Sequence, residues 1–158
     1  MYESAIELNK IMKPPLRDPQ SLRHMLCEVK SIMELATEED LVFAKFVDPD
    51  LSAGVYTILS RYCGNLNALE IAKLERMRKH FGNVIHEVKQ IHRIPRPYRL
   101  ASEFGVKLPK KNLISTSGVS FSYPSVHAAG SRYLAHLIWR KYHNCLGDHG
   151  RYEVFNYA

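Results

Sequence analysis

Lys89, Arg96 and Pro97 stand in the spacing Lys-x6-Arg-Pro, and 27 residues after Pro97 comes Pro124-Ser125-Val126-His127. Together the two segments supply two cations, a hydroxyl and an imidazole. That set can hold a phosphate-like oxyanion and give it a proton. An arginine grips two phosphate oxygens as a fork, and a lysine adds a compact point charge. Pro95 and Pro97 flank Arg96 and stiffen the backbone that presents it. Taken singly, Lys89 reads as a solvated helix end, Ser125 as an N-cap and His127 as a surface residue. At roughly one residue in twenty for each fixed position, both segments in this order arise by chance in about 0.04% of chains of this length. The pairing is therefore the specific signal.

The elements that must position these residues read as helical almost throughout. Asp18-Pro19 offers an N-cap with proline at the first helical position, followed by Leu22, Met25, Leu26, Val29, Ile32 and Met33 at helical spacing. Thr37 and Asp40 make a capping arrangement for a helix to about Phe46. Asp48-Pro49-Asp50 reads as a turn, and Leu51 to Tyr62 as a helix ended by Gly64. The longest helix should run from about Ala68 to Arg93, with Leu74, Met77, Phe81, Val84, Ile85 and Val88 as its apolar stripe. Pro95 and Pro97 end it. A loop from Tyr98 to Tyr123 follows, long enough to suggest function. The last helix should start near Ser125, where unpaired amides and the dipole favour an anion, and run to about Tyr142. It would bury Leu134, Leu137, Ile138 and Trp139, and Gly147 to Ala158 shows no clear element.

The bulk composition bounds the function classes. The chain has 158 residues, 46% hydrophobic and 24% charged, as in an ordinary globular domain with a real core. No apolar run approaches the ~20 residues that cross a bilayer, and no secretory signal is visible at the start. Cys27, Cys63 and Cys145 are odd in number and form no C-x2-C pair, which argues against a zinc site and a disulfide framework and favours free buried thiols. Net charge is +6, and eleven of the 22 basic residues fall between Lys73 and Lys111 against Glu75, Glu87 and Glu103. Such a stretch attracts nucleic acid or a small phosphorylated ligand. Without interleaved aromatics it disfavours nucleic acid.

The two segments resemble the first two motifs of the superfamily of type 2 phosphatidic acid phosphatases, class A acid phosphatases and vanadium haloperoxidases. Lys89, Arg96 and Pro97 match Lys-x6-Arg-Pro, and Pro124, Ser125 and His127 match Pro-Ser-Gly-His with Val126 in place of glycine. Lys13-Pro14-Pro15, Tyr123 and Ala128 add to the likeness, which covers about Lys13 to Tyr142 and is nearest to signal-less members, some carried by tailed phages. The resemblance implies an all-α helical bundle around a long central helix that hydrolyses phosphate monoesters without a metal or other cofactor, with phosphate or vanadate as the bound anion. Lys89, Arg96, Ser125 and the Val126 amide would bind the phosphoryl oxygens, and His127 would act as catalytic general acid. It also implies a cytoplasmic or virion-associated protein.

The family's third motif, Ser-Arg-x5-His-x3-Asp, carries the nucleophilic histidine and has no match here. Ser131-Arg132 is followed by His136 after three residues, and His143 and Asp148 are five apart. Two expectations follow: a phosphatase-type domain that a further C-terminal segment would complete, or a catalytically degenerate relative serving a structural or phosphoanion-binding role. In either case the long helix should leave Phe81, Val84 and Val88 uncovered and recruit a second copy or another protein.

Overall fold

Helix α1, Ala5–Ile11, opens on Ser4, whose hydroxyl accepts from the Glu7 amide at 3.3 Å. The computed structural model describes residues 4–13, 17–47, 50–109 and 121–158, and among these every regular element is a helix. The expected all-α class is thus the observed one. The expected turn at Asp48-Pro49 lies outside the described residues. No described helix is long and apolar enough to cross a membrane. The chain gathers into two compact units. The first comprises Met1–Phe46 and Glu87–Pro124, the second Val47–His86 and Ser125–Ala158.

In the first unit, α2 (Pro19–Leu35) starts where Asp18 accepts from the Ser21 amide at 2.9 Å, with Pro19 at the first turn. Its apolar stripe is only partly used. Leu26 is buried, whereas Ile32 stands 68% exposed. Helix α3, Glu38–Val47, begins with the reciprocal Thr37–Asp40 cap: each residue's side chain accepts the other's amide, at 2.8 and 3.2 Å. Leu26 packs with Leu100 and Ala101 of a helix that the sequence reading had placed in a loop. This is α6, Pro97–Glu103, and it replaces the first part of the expected Tyr98–Tyr123 loop. Its cause is local. Pro97 occupies the first turn, Gly105 turns left-handed at φ 64°, and the Val106 amide reaches back to the Ala101 carbonyl at 2.9 Å. Residues 110–120 lie outside the described part of that stretch.

In the second unit, α4 (Leu51–Cys63) is capped by Asp50, which accepts from the Ser52 and Ala53 amides. Helix α5, Ala68–His92, contributes residues 68–86 here and continues into the first unit. Helix α7, Val126–Tyr157, is interrupted at Gly147, which takes φ 59° and ψ −174°. The residues on either side form two limbs that fold back on each other. Arg151 lies 5.0 Å from the Trp139 ring, Arg132 donates to the Phe155 carbonyl at 2.7 Å, and Ser131 Oγ donates to the Ala158 carbonyl at 2.5 Å. As one partner's number falls the other's rises, the signature of an antiparallel helical hairpin. The core joins both limbs to α4: Val55, Ile58 and Leu59 with Leu134, Ala135, Ile138, Leu146 and Val154.

Three expectations are corrected by this packing. Gly147 to Ala158 is helical and supplies core, because Leu146, Gly150 and Val154 continue the buried stripe at four-residue spacing. Val84 and Val88 are 5% and 0% exposed and Phe81 stacks on Tyr133 at 4.3 Å, so the long helix shows no bare stripe and the argument for a recruited partner loses its basis. Cys63 and Cys145 form a disulfide between Cα atoms 5.3 Å apart, linking the end of α4 to the residues before the reversal, and Cys27 is free and exposed.

The close approach of the last turn to α4 depends on a glycine. A Cβ at Gly54 would fall 2.0 Å from Cζ of Tyr157, so the ring lies where any side chain would be. Gly54→Ala should cost about 2–3 kcal/mol in urea unfolding, overpacking outweighing the helix propensity gained. Combined with Tyr157→Ala it should cost less than the two losses added, because the clash is then gone. Strict additivity would mean the ring and the glycine do not meet. The disulfide gives a second expectation. Thiol titration should count one reactive cysteine in the native protein and three after reduction, and Cys145→Ser should lose roughly 2–4 kcal/mol.

Candidate functional site

Lys89 lies in the last turn of α5 and is 3% exposed. Burial disfavours its charged form and lowers its pKa, and the nearby Arg96 guanidinium lowers it further. The Arg96 charge is thus felt at Lys89. The chain leaves the helix through Arg93, whose φ of 51° is uncommon for a residue with a Cβ. Its amide still bonds to the Lys89 carbonyl at 2.8 Å. Buried Ile94 and Pro95 follow, and Arg96 takes the N-cap position of α6 in extended backbone, φ −67° and ψ 150°. Its side chain makes no capping bond there.

Ser122 ties the approach of the second segment to the first. Its amide donates to the Ile94 carbonyl at 2.8 Å, and its hydroxyl lies 3.1 Å from that oxygen and 2.9 Å from the Pro95 carbonyl. Tyr123 donates from its hydroxyl to the Lys13 carbonyl at 2.9 Å and meets the His92 ring edge-on, centroids 5.4 Å apart. The Tyr123–Pro124 peptide is cis. Arg17 donates from Nη2 to the His92 carbonyl at the end of α5. His92 itself is 6% exposed, and its Nε2 has no hydrogen-bond partner. Burial first, and Arg17 second, depress its pKa. An unpaired buried polar atom costs about 1–3 kcal/mol.

Ser125, Val126 and His127 belong to the second unit, at the start of α7. Ser125 is the N-cap, its Oγ accepting from the Ala128 amide at 3.2 Å while its carbonyl takes the Ala129 amide at 3.0 Å. The capping role is real, and a hydroxyl that accepts still carries one proton to donate. Val126 is the first helical residue, a position whose amide lacks an intrahelical acceptor. Its side chain lies beside α5, 3.7 Å from where a Cβ on Gly82 would be. His127 follows on the first turn and is half-buried.

The structure thus keeps Lys89 and Arg96 together in the first unit, with Tyr123 and Pro124, and sets Ser125, Val126 and His127 at one helix start in the second. Sequence reasoning missed His92, Arg17 and Ser122. His92 was findable, since it lies three residues after Lys89 and so on the same helical face. Ser122 gave no such sign, because its role is set by a contact with residues 27 and 28 positions away.

The residues nearest to a third motif have structural partners. Ser131 and Arg132 hold the returning limb of α7, His136 meets Phe155 edge-on at 4.8 Å, and His143 meets Trp139 at 5.8 Å. Elsewhere in the second unit Glu75 accepts from Tyr56 at 2.9 Å and from Arg78 at 2.8 Å. Burial alone would raise the Glu75 pKa, but bonds from Arg78, Ser52 and Tyr56 outweigh it and hold the carboxylate ionised. Among the described residues no three His, Cys, Asp or Glu side chains gather as metal ligands.

The chain matches no protein-family model, no curated protein sequence and no solved structure. The likeness to the phosphatase and haloperoxidase superfamily stands on the two motifs and their surroundings.

Ser125 permits a test of the helix start. Ser125→Ala should lose about 1 kcal/mol of stability, and Ser125→Asp should lose little, because aspartate caps as well as serine. Urea midpoints check this, and an alanine variant as stable as the wild type would mean the Ala128 bond carries nothing.

Proposed function

We propose that this chain is a phosphoanion-binding domain of the phosphatase and haloperoxidase kind that takes phosphate monoesters and turns them over slowly. Lys89 and Arg96 bind the phosphoryl oxygens; the resemblance gives Ser125 and the Val126 amide the role of oxyanion donors and His127 that of general acid, protonating the leaving oxygen as water forms the new bond to phosphorus and the ester bond breaks. The observation that carries the reading is the bonding of Ser122 to the Ile94 and Pro95 carbonyls. It ties the residues leading into the second segment to those leading into Arg96. The burial of Lys89 beside Arg96 adds support. Two cations held close and partly out of water gain from an anion more than solvated ones do.

Slow turnover is part of the proposal. Covalent chemistry in the resembled family runs through a histidine nucleophile, and His136 and His143 sit in ring contacts of the helical hairpin. That commitment favours, as a second reading, a degenerate relative that keeps the anion site for a structural or carrier role.

Orthovanadate separates these readings from a nucleic-acid role. At a hundred times its dissociation constant it should stabilise the fold by about 2.7 kcal/mol, raising Tm by roughly 5–10 °C for a chain of this size. Arg96→Ala should abolish that shift by removing the fork. His127→Ala should retain most of the shift and lose the residual hydrolysis of p-nitrophenyl phosphate. No shift with vanadate or inorganic phosphate would overturn the proposal. A rate in the ordinary enzymatic range would overturn the slow-turnover part of it and make His136 and His143 the first residues to replace.

A further inference from the structure

The last turn of α5 carries a second buried basic group that the two-motif reading does not use. His92 follows Lys89 by three residues, so the two side chains share one face of the helix. Its ring meets Tyr123 edge-on at 5.4 Å, and Tyr123 belongs to the segment that Ser122 ties to Ile94 and Pro95. The imidazole therefore touches the segment leading into Ser125 and neighbours Lys89 along the helix.

We propose that His92 is a further anion-contacting residue of the Lys89–Arg96 site, its Nε2 bonding directly to an oxygen of a bound phosphate or vanadate. This rests on the phosphoanion reading above and deepens it. A purely structural role is the competing account, because basic residues in a last helical turn favour its carbonyls and dipole. That role explains Arg17, which donates to the His92 carbonyl. It leaves the His92 ring unexplained. Nε2 is buried with no hydrogen-bond partner in a residue 6% exposed, and buried polar atoms are almost always paired. The local charge argues the same way. Burial and the Arg17 guanidinium both work against a proton on His92, and burial and Arg96 against one on Lys89. An anion at Nε2 would relieve that opposition at His92.

The experiment uses the full chain and inorganic vanadate, read by calorimetry and by 15N-detected imidazole NMR. Vanadate should move the His92 Nε2 resonance at saturation, and His92→Phe, which keeps the ring and removes the nitrogen, should weaken binding about tenfold. His92→Gln, whose amide nitrogen reaches the same place, should recover most of the loss. If His92→Phe binds vanadate within twofold of the wild type while Arg96→Ala does not bind, the Lys89–Arg96 site stands and His92 is packing alone. Should the phenylalanine variant fail to fold, the wild-type spectrum decides, since an unmoved His92 Nε2 at saturation overturns the proposal. A wild type that binds no vanadate takes both proposals down together.

Discussion

Positive charge buried at the end of helix α5 sets the terms for the site. Lys89 at 3% exposure loses its hydration, and the cation nearest to it in its electrostatics is Arg96. Burial first and the Arg96 charge second act against the charged form of Lys89. The surrounding structure is organised to hold it nonetheless. Arg93 turns the chain sharply out of the helix, Pro97 starts α6 at once, and Ser122 fastens the intervening carbonyls. An uncommon backbone angle at Arg93, a buried lysine and a buried imidazole thus lie within one short stretch of chain.

The stability of the fold comes from ordinary packing. In the second unit, α4 and the two limbs of α7 enclose Val55, Leu59, Leu134, Ala135, Ile138 and Val154, each at 0% exposure. Large apolar side chains buried to that degree are worth about 1.5–3 kcal/mol each. At its edge Glu153 accepts from Arg61 and Tyr62, and Glu70 from Lys141 and Tyr142. In the first unit the smaller cluster of Leu26, Leu100 and Ala101 fixes α6 on α2, and with it the proline that follows Arg96. Position of the guanidinium thus traces back to a leucine 70 residues earlier in the chain.

Much of this was legible because helices write themselves locally. Asp18-Pro19, the Thr37–Asp40 pair, Asp50 and Gly64 marked ends that the structure keeps, since caps are decided within a few residues. What escaped was set by partners distant in sequence. The last helix was expected to end near Tyr142, yet the chain continues, reverses at Gly147 and resumes, and the second limb is held by distant partners such as the α4 core that buries Val154. Cys63 and Cys145, 82 residues apart, gave no spacing signal because the disulfide joins the end of one helix to the approach of a reversal. Helix α6 escaped although its ends are set locally: its seven residues, beginning at Pro97, look like loop without the packing of Leu100 and Ala101 on Leu26. The site followed the same division. Lys89, Arg96 and Ser125 announced themselves through fixed spacing, whereas Ser122 matters only through carbonyls 27 and 28 residues away.

The returning limb of α7 also bears on what chemistry the chain can do. Ser131 and Arg132 would be the natural start of a third anion-binding motif, but their side chains reach Ala158 and Phe155 instead. Arg132 further lies over the Phe155 ring at 4.8 Å, so its guanidinium is held by both a carbonyl and an aromatic face. Drawing it to a phosphate would break two interactions that close the hairpin and loosen the core beneath. His136 is fixed by the same Phe155 ring. The side chains of Ser131, Arg132 and His136 are thus committed to closing the hairpin, and a change at any of them should be felt first in the stability of the second unit.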